Sequence, residues 1–154
     1  IEIRSAVALF GHMGIEMDPR ELTDNEQSVL TDAISLYKKH RHITHGGDLF
    51  RMDDDGMNVK FGYVSKDKQE GIFAYNSVME TVRTTPNRFY FAGLDANKQY
   101  TIERVWPEKL KEYTPSILQQ TDGQVFSGEV LMKYGMQLPV LFPQTALIYT
   151  VKAV

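Results

Sequence analysis

Hydrophobic residues follow two different periods along the chain, and the change comes at Gly46 and Gly47. Before this pair they recur three to four residues apart, which is typical of helices packed on one side. After it they alternate with polar residues, as in half-buried strands. All the aromatic residues except Phe10 and Tyr37 follow the pair. The pattern predicts a helical part that is followed by a β-sheet.

The first part predicts helix, strand and helix in that order. Residues 3–10 carry a wide apolar stripe, and residues 13–18 alternate apolar and small or acidic residues up to Pro19. Thr23 and Glu26 have the spacing of a capping box, which predicts the start of a second helix that Gly46 and Gly47 end. This order is typical of a β/α architecture, whose strand needs parallel neighbours. We expect those neighbours upstream of residue 1.

The second part predicts antiparallel strands at residues 49–52, 59–65, 71–78, 88–92, 100–105 and 146–152. Polar links at 53–56, 66–68 and 95–97 favour hairpins between sequential strands. We therefore predict a mainly β fold, an antiparallel β-sandwich preceded by a helix–strand–helix remnant of a β/α barrel. Residues 107–120 are predicted to form a loop, and residues 127–132 fit either a helical turn or a strand.

Composition narrows the classes of protein. The 154 residues are 42% hydrophobic and 24% charged, which is ordinary for a globular chain, and no apolar run reaches the length of a membrane span. A net charge of -3 with mixed signs does not favour nucleic acid as a partner. The absence of cysteine suits a reducing compartment, so we expect a cytoplasmic protein. The chain opens at Ile1, directly in an amphipathic stretch, and we interpret it as part of a longer protein.

Two groups of side chains suggest metals at first sight. His40, His42 and His45 lie close together, but their spacing does not align imidazoles on one helix face, and cations suit a helix C-terminus. The acidic run at residues 53–55 before Gly56 lacks the alternating ligands and the final Glu of an EF-hand, so a solvated hairpin tip is favoured. We predict no metal and no cofactor.

Candidates for carbohydrate chemistry are also few. Glu16 and Asp18 would share one face of the predicted strand, although acidic residues of a strand are often rim or helix-capping groups. Trp106 precedes Pro107 directly, where it either plugs a sheet edge or offers a stacking surface for a sugar. We find no nucleophile elbow, phosphate loop or metalloprotease helix. The sequence therefore predicts no catalytic and no substrate-binding residue.

Several segments resemble one known family. The run from Phe10 to Asp18 and the helix end from Tyr37 to Arg41 resemble the end of the catalytic barrel in glycoside hydrolase family 36, the bacterial α-galactosidases. Residues 93–95 and 127–132 are similar to the C-terminal β-domain of the same enzymes. Met17 is a departure, since relatives often carry a Trp there.

The resemblance implies retaining hydrolysis of terminal α-galactosides, such as raffinose and melibiose, by two aspartates upstream of residue 1. It implies that residues 1–46 end the barrel and that residues 47–154 form the β-domain, so the chain has a structural role. The implied partners are the rest of the barrel, the α-galactoside and other copies in a homo-oligomer. The alternative is a self-standing carbohydrate-binding or interaction module. Without the barrel, we expect the helices to fold onto the β-domain or to dimerise.

Overall fold

The computed structural model describes residues 1–52, 56, 58–79, 86–110 and 122–154. Two helices come first, α1 (Glu2–Ala8) and α2 (Asp24–Gly46), with a short 3-10 helix, Pro19–Glu21, between them. The remaining elements are β1 (Asp48–Met52), β2 (Asn58–Val64), β3 (Glu70–Ser77), β4 (Gln99–Trp106), β5 (Val125–Ser127), α3 (Gly128–Lys133) and β6 (Thr145–Ala153). None of the helices in these ranges has both the length and the hydropathy needed to cross a membrane.

One antiparallel sheet contains all six described strands, in the order β1-β2-β3-β6-β4-β5. The mainly β, antiparallel fold that the alternation predicts is thus confirmed. The described strands do not divide between two sheets, because the layer facing one side of the sheet consists of α3 and connecting segments. β6 returns from the end of the chain to pair with both β3 and β4.

The two faces of the sheet carry separate cores, as strand alternation requires. On one face α1 and α2 pack against side chains from the central strands, including Ile72, Ala74 and Ile148. On the other face Phe73 and Tyr149 pack against Phe89, Phe91 and other residues of the connecting segments. β3 is buried on both faces along almost its whole length. The helices therefore fold onto the β-domain, which is one of the two expected outcomes.

The second helix begins where the capping box predicts. The Thr23 hydroxyl accepts from the Glu26 amide at 3.3 Å, and the Glu26 carboxylate accepts from the Thr23 amide at 3.0 Å. At the other end Gly47 packs so closely that a Cβ there would stand 2.5 Å from the Val64 carbonyl oxygen. A glycine is therefore required at the turn from α2 into β1.

The structure contradicts two predicted strands and decides one segment for which the sequence left two alternatives. Residues 13–18 form no strand, because no described strand lies beside them to complete a ladder. Residues 88–92 form only a single bridge, between Phe89 and Met136, since their alternation reflects burial against the sheet. Residues 127–132 combine both alternatives, with the end of β5 followed by α3. The acidic run at 53–55 and most of the predicted loop at 107–120 lie outside the described residues.

Candidate functional site

The segment of residues 12–18, which we call the extended segment, links α1 to the 3-10 helix without regular structure. Within the described ranges, no backbone hydrogen bond joins residues 12–17 to the rest of the chain. Ile15 is 46% exposed and Met17 is 40% exposed. Unpaired backbone and exposed alternate apolar side chains are what a strand shows when its neighbours are missing.

The extended segment runs back along α2. Gly11 contacts His45 at the C-terminal end of that helix, and Thr23 caps the N-terminal end. A helix of 23 residues is about 34 Å long. The residues between Gly11 and Thr23 reach roughly 36 Å when those in the 3-10 helix rise about 2 Å each and the others about 3.3 Å each. The two lengths are similar, so the segment has enough residues to run the length of α2, as a strand that precedes its helix does in a β/α unit.

Two side chains of α2 meet residues 11 and 12 where the extended segment begins. His45 Nε2 lies 3.3 Å from the Gly11 carbonyl oxygen and 3.3 Å from the Tyr37 hydroxyl oxygen. The rings of His12 and His45 have centroids 4.7 Å apart. We call this group the imidazole junction. The Gly11 carbonyl oxygen can only accept, so a hydrogen bond there requires the proton on Nε2, and the Tyr37 hydroxyl oxygen then shares that N–H as a second acceptor.

The two acidic residues of the extended segment have different surroundings. Asp18 accepts from the Arg20 amide at 3.0 Å and from the Arg20 guanidinium at 2.6 Å, so it caps the 3-10 helix. The hydrogen bonds from Arg20 hold the pKa of the Asp18 carboxyl below its usual value. Glu16 is exposed. The structure thus supports the capping interpretation of Asp18.

The three clustered histidines of α2 have three different environments. His42 Nε2 lies 3.0 Å from Glu70 Oε2, and its hydrogen bond lowers the pKa of that carboxyl. His45 belongs to the imidazole junction. His40 is 8% exposed, and neither of its ring nitrogens has a hydrogen-bond partner in the described part of the chain. Among the described residues, no three potential ligands are grouped so that they would hold a metal ion.

Burial explains the behaviour of His40. Its ring lies where α2 faces β3 and β6, beside a cleft of about 410 Å³ that Glu70 and Lys152 also line. Burial lowers the pKa of His40 from 6.5 to about 4, with smaller contributions from the positive charges of Lys39 and His42. Glu70 opposes this effect. His40 is therefore neutral at pH 7.

Trp106 is a packing residue. It is 5% exposed and belongs to the core between the sheet and the helices. It also lines a cleft of about 860 Å³ between α2 and the end of β4, together with polar residues such as Asp32 and Arg104. Burial of the indole favours the edge-plug interpretation over a stacking surface for sugars. Tyr75 and Tyr149 are likewise buried in the sheet.

Sequence reasoning did not find the imidazole junction. Tyr37 and His45 are eight residues apart, which places them within about 80° on the surface of one helix. That spacing is a weak signal, and nothing in the sequence connects His45 with Gly11 or His12, which lie more than 30 residues away. The contact arises because the extended segment begins beside the end of α2.

Comparison with known proteins decides the family. A model described as the glycosyl hydrolase family 36 C-terminal domain matches residues 58–150, and one described as melibiase matches residues 1–47. The chain belongs to glycosyl hydrolase family 36. An α-galactosidase of Escherichia coli is 33% identical over 96% of this chain, and the match covers 22% of that protein.

Solved structures agree with this assignment. A variant of the family 36 α-galactosidase AgaA from Geobacillus stearothermophilus, in complex with raffinose, superposes with a TM-score of 0.80 at 25% identity, covering 98% of this chain and 19% of that one. The α-galactosidase from Lactobacillus brevis gives a TM-score of 0.79 at 25% identity over 98% of this chain and 20% of that one. The chain thus spans about a fifth of the length of these relatives.

Proposed function

We propose that this chain is the C-terminal part of an α-galactosidase that hydrolyses terminal α-galactosides such as raffinose and melibiose. The observation that carries the proposal is the 33% identity to the α-galactosidase of Escherichia coli over almost the whole chain. The solved complex of AgaA with raffinose supports the same substrate class. In the family that the sequence resembles, the reaction is retaining and uses two aspartates of the barrel.

Residues 1–46 are proposed to close the catalytic barrel, and residues 47–154 to form the β-domain that braces it. The extended segment supports this division, because its residues 12–17 make no backbone hydrogen bond within the described part of the chain and because Ile15 and Met17 are exposed. The two family models match residues 1–47 and 58–150, which supports a boundary near residue 46. In the complete protein, upstream barrel strands would pair with the extended segment and cover its apolar side chains.

The chain itself is proposed to contribute no catalytic residue. The family's nucleophile and its acid/base residue belong to motifs that we place upstream of residue 1. Asp18 is engaged by Arg20 in capping the 3-10 helix. The role of this chain is then structural, since α1 and α2 bury apolar side chains on the sheet and so hold the end of the barrel against the β-domain.

The test is a hydrolysis assay of the complete protein with p-nitrophenyl α-galactoside and raffinose, and with the β-anomer of the chromogenic substrate as control. We expect turnover of the α-galactosides only, and none by the 154-residue chain alone. Turnover by this chain alone would refute the proposal that catalysis lies upstream. Failure of the complete protein on every α-galactoside would refute the proposed activity.

Homo-oligomerisation and a cytoplasmic location remain proposals. Val130 and Tyr134 lie one helical turn apart on and after α3 and are 38% and 67% exposed, so they offer an apolar surface for a second copy. Light scattering of the complete protein tests the first proposal. Cell fractionation with an antibody against the β-domain tests the second.

A further inference from the structure

We propose that His45 is a positioning residue, which fixes where the extended segment leaves α1 and thereby sets the place of that segment in the catalytic barrel. This inference rests on the proposed function. His45 Nε2 is 3.3 Å from the Gly11 carbonyl oxygen, and Gly11 is the last residue before the extended segment. The contact joins residues 34 positions apart in the chain.

The helical turn that carries His45 packs on the sheet through Ile43. His45 lies one residue before the end of α2, and the neighbouring Ile43 is 2% exposed in the core between helix and sheet. The Gly47 amide donates to the Ile43 carbonyl oxygen at 2.8 Å, which caps α2 one residue before β1 begins. Because Ile43 packs this end of α2 on the sheet, a hydrogen bond from His45 relates the position of Gly11 to that of the β-domain.

The imidazole junction lies where the extended segment begins, and the next residue, Met13, packs against the core between the helices and the sheet. Phe10 packs edge to face on Phe61 of β2, with ring centroids 4.8 Å apart, and His12 packs on His45. No backbone hydrogen bond holds residues 12–17 within the described part of the chain. The direction in which the segment leaves α1 therefore depends on the contacts of residues 10–13, and His45 provides two of them, with Gly11 and His12.

The hydrogen-bond donor is the part of His45 that matters. Tyr37 holds the imidazole from within the same helix, with its hydroxyl oxygen 3.3 Å from Nε2. A glutamine at position 45 also carries an N–H donor at the end of its side chain, whereas a phenylalanine keeps an aromatic ring and has no donor. The two substitutions therefore separate hydrogen bonding from ring packing.

The experiment compares His45→Phe and His45→Gln in the complete protein, with His42→Phe as the matched control. His42 lies three residues earlier on α2 and bonds to Glu70 instead of the junction. The first measurement is kcat and KM for an α-galactoside. The second is hydrogen exchange, by mass spectrometry, of a peptide covering residues 12–18.

We expect His45→Phe to lower kcat about 10- to 100-fold while KM changes less than about threefold, because a misplacement near 1 Å is enough for such a loss. Exchange of residues 12–18 should become at least about tenfold faster. His45→Gln should recover most of both losses, and His42→Phe should match the wild type. A purely structural role would lower thermal stability without this split between kcat and KM and without rescue by Gln.

Each contrary outcome has its own meaning. Wild-type kcat and exchange in His45→Phe would overturn the positioning role while leaving the proposed function intact. Equal losses in His45→Gln and His45→Phe would also overturn it, because an N–H donor at position 45 would then restore neither kcat nor protection from exchange. A complete wild-type protein that is inactive on α-galactosides and unprotected at residues 12–18 would refute the proposed function, and this inference with it.

Discussion

Acid is expected to destabilise the packing of α2 on the sheet through His40. The ring is 8% exposed and neither nitrogen has a hydrogen-bond partner among the described residues, so protonation would bury a charge that no hydrogen bond compensates. The pKa of His40 is about 4 in the folded chain and 6.5 in its ordinary environment. Between these two pH values the unfolded chain binds a proton that the folded chain does not, and stability therefore falls as the pH falls.

The size of the effect follows from the two pKa values. One unit of pKa shift corresponds to about 1.4 kcal/mol, so the complete loss is about 3 kcal/mol once the pH is below 4. At pH 5 about 2 kcal/mol is already lost relative to pH 7.5. Glu70, whose pKa is lowered mainly by the hydrogen bond from His42, acts in the same direction at lower pH. Measurement at pH 5 therefore reports chiefly on His40.

The assay is urea unfolding at pH 7.5 and pH 5 for the wild type, His40→Leu and the control His12→Gln. Leucine removes both ring nitrogens and keeps an apolar side chain, while His12 is exposed. We expect the wild type and the control to lose about 2 kcal/mol more than His40→Leu between the two pH values. Equal losses in all three proteins, or an NMR titration of His40 near pH 6.5, would refute the reasoning.

Three further substitutions test the fold by urea unfolding. Gly47→Ala should cost about 1–3 kcal/mol, because its Cβ would meet a backbone oxygen at 2.5 Å. Gly46→Ala, whose Cβ would meet nothing within 4 Å, should leave the free energy of unfolding unchanged or raise it slightly. Equal stabilities of the two variants would contradict this reasoning. Thr23→Ala should cost about 1 kcal/mol through loss of the capping box, and no change would count against it. Phe10→Ala should cost about 3–5 kcal/mol, while Val7→Ala, 52% exposed, should cost less than about 0.5 kcal/mol; similar costs would disprove the packing of α1.

Local signals in the sequence were sufficient for most of the elements. Thr23 and Glu26 are three residues apart and satisfy each other's backbone groups, so the start of α2 needs no tertiary contact. The strands from β1 to β4 and β6 follow the alternation of apolar residues within one or two positions. Such signals are readable because capping and alternation are decided by residues close together in the chain.

Pairing between distant segments was not readable. Residues 13–18 and residues 88–92 both alternate like strands, yet the first segment has no neighbouring strand among the described residues, and the second is buried by side-chain packing with one bridge. Alternation reports which side chains are covered, and it does not report which backbone supplies the hydrogen bonds.

The sequence by itself determined the change from helix to sheet at Gly46 and Gly47, the cap of α2 and the family resemblance. Only the tertiary structure decided that β6 lies between β3 and β4 and that His45 contacts the Gly11 carbonyl oxygen. It also decided that His40 is buried with no hydrogen-bond partner among the described residues. The physical reason is the distance along the chain. Each of these features depends on segments that are far apart in the sequence and come together only in the folded chain. The surroundings of an imidazole include groups from several such segments.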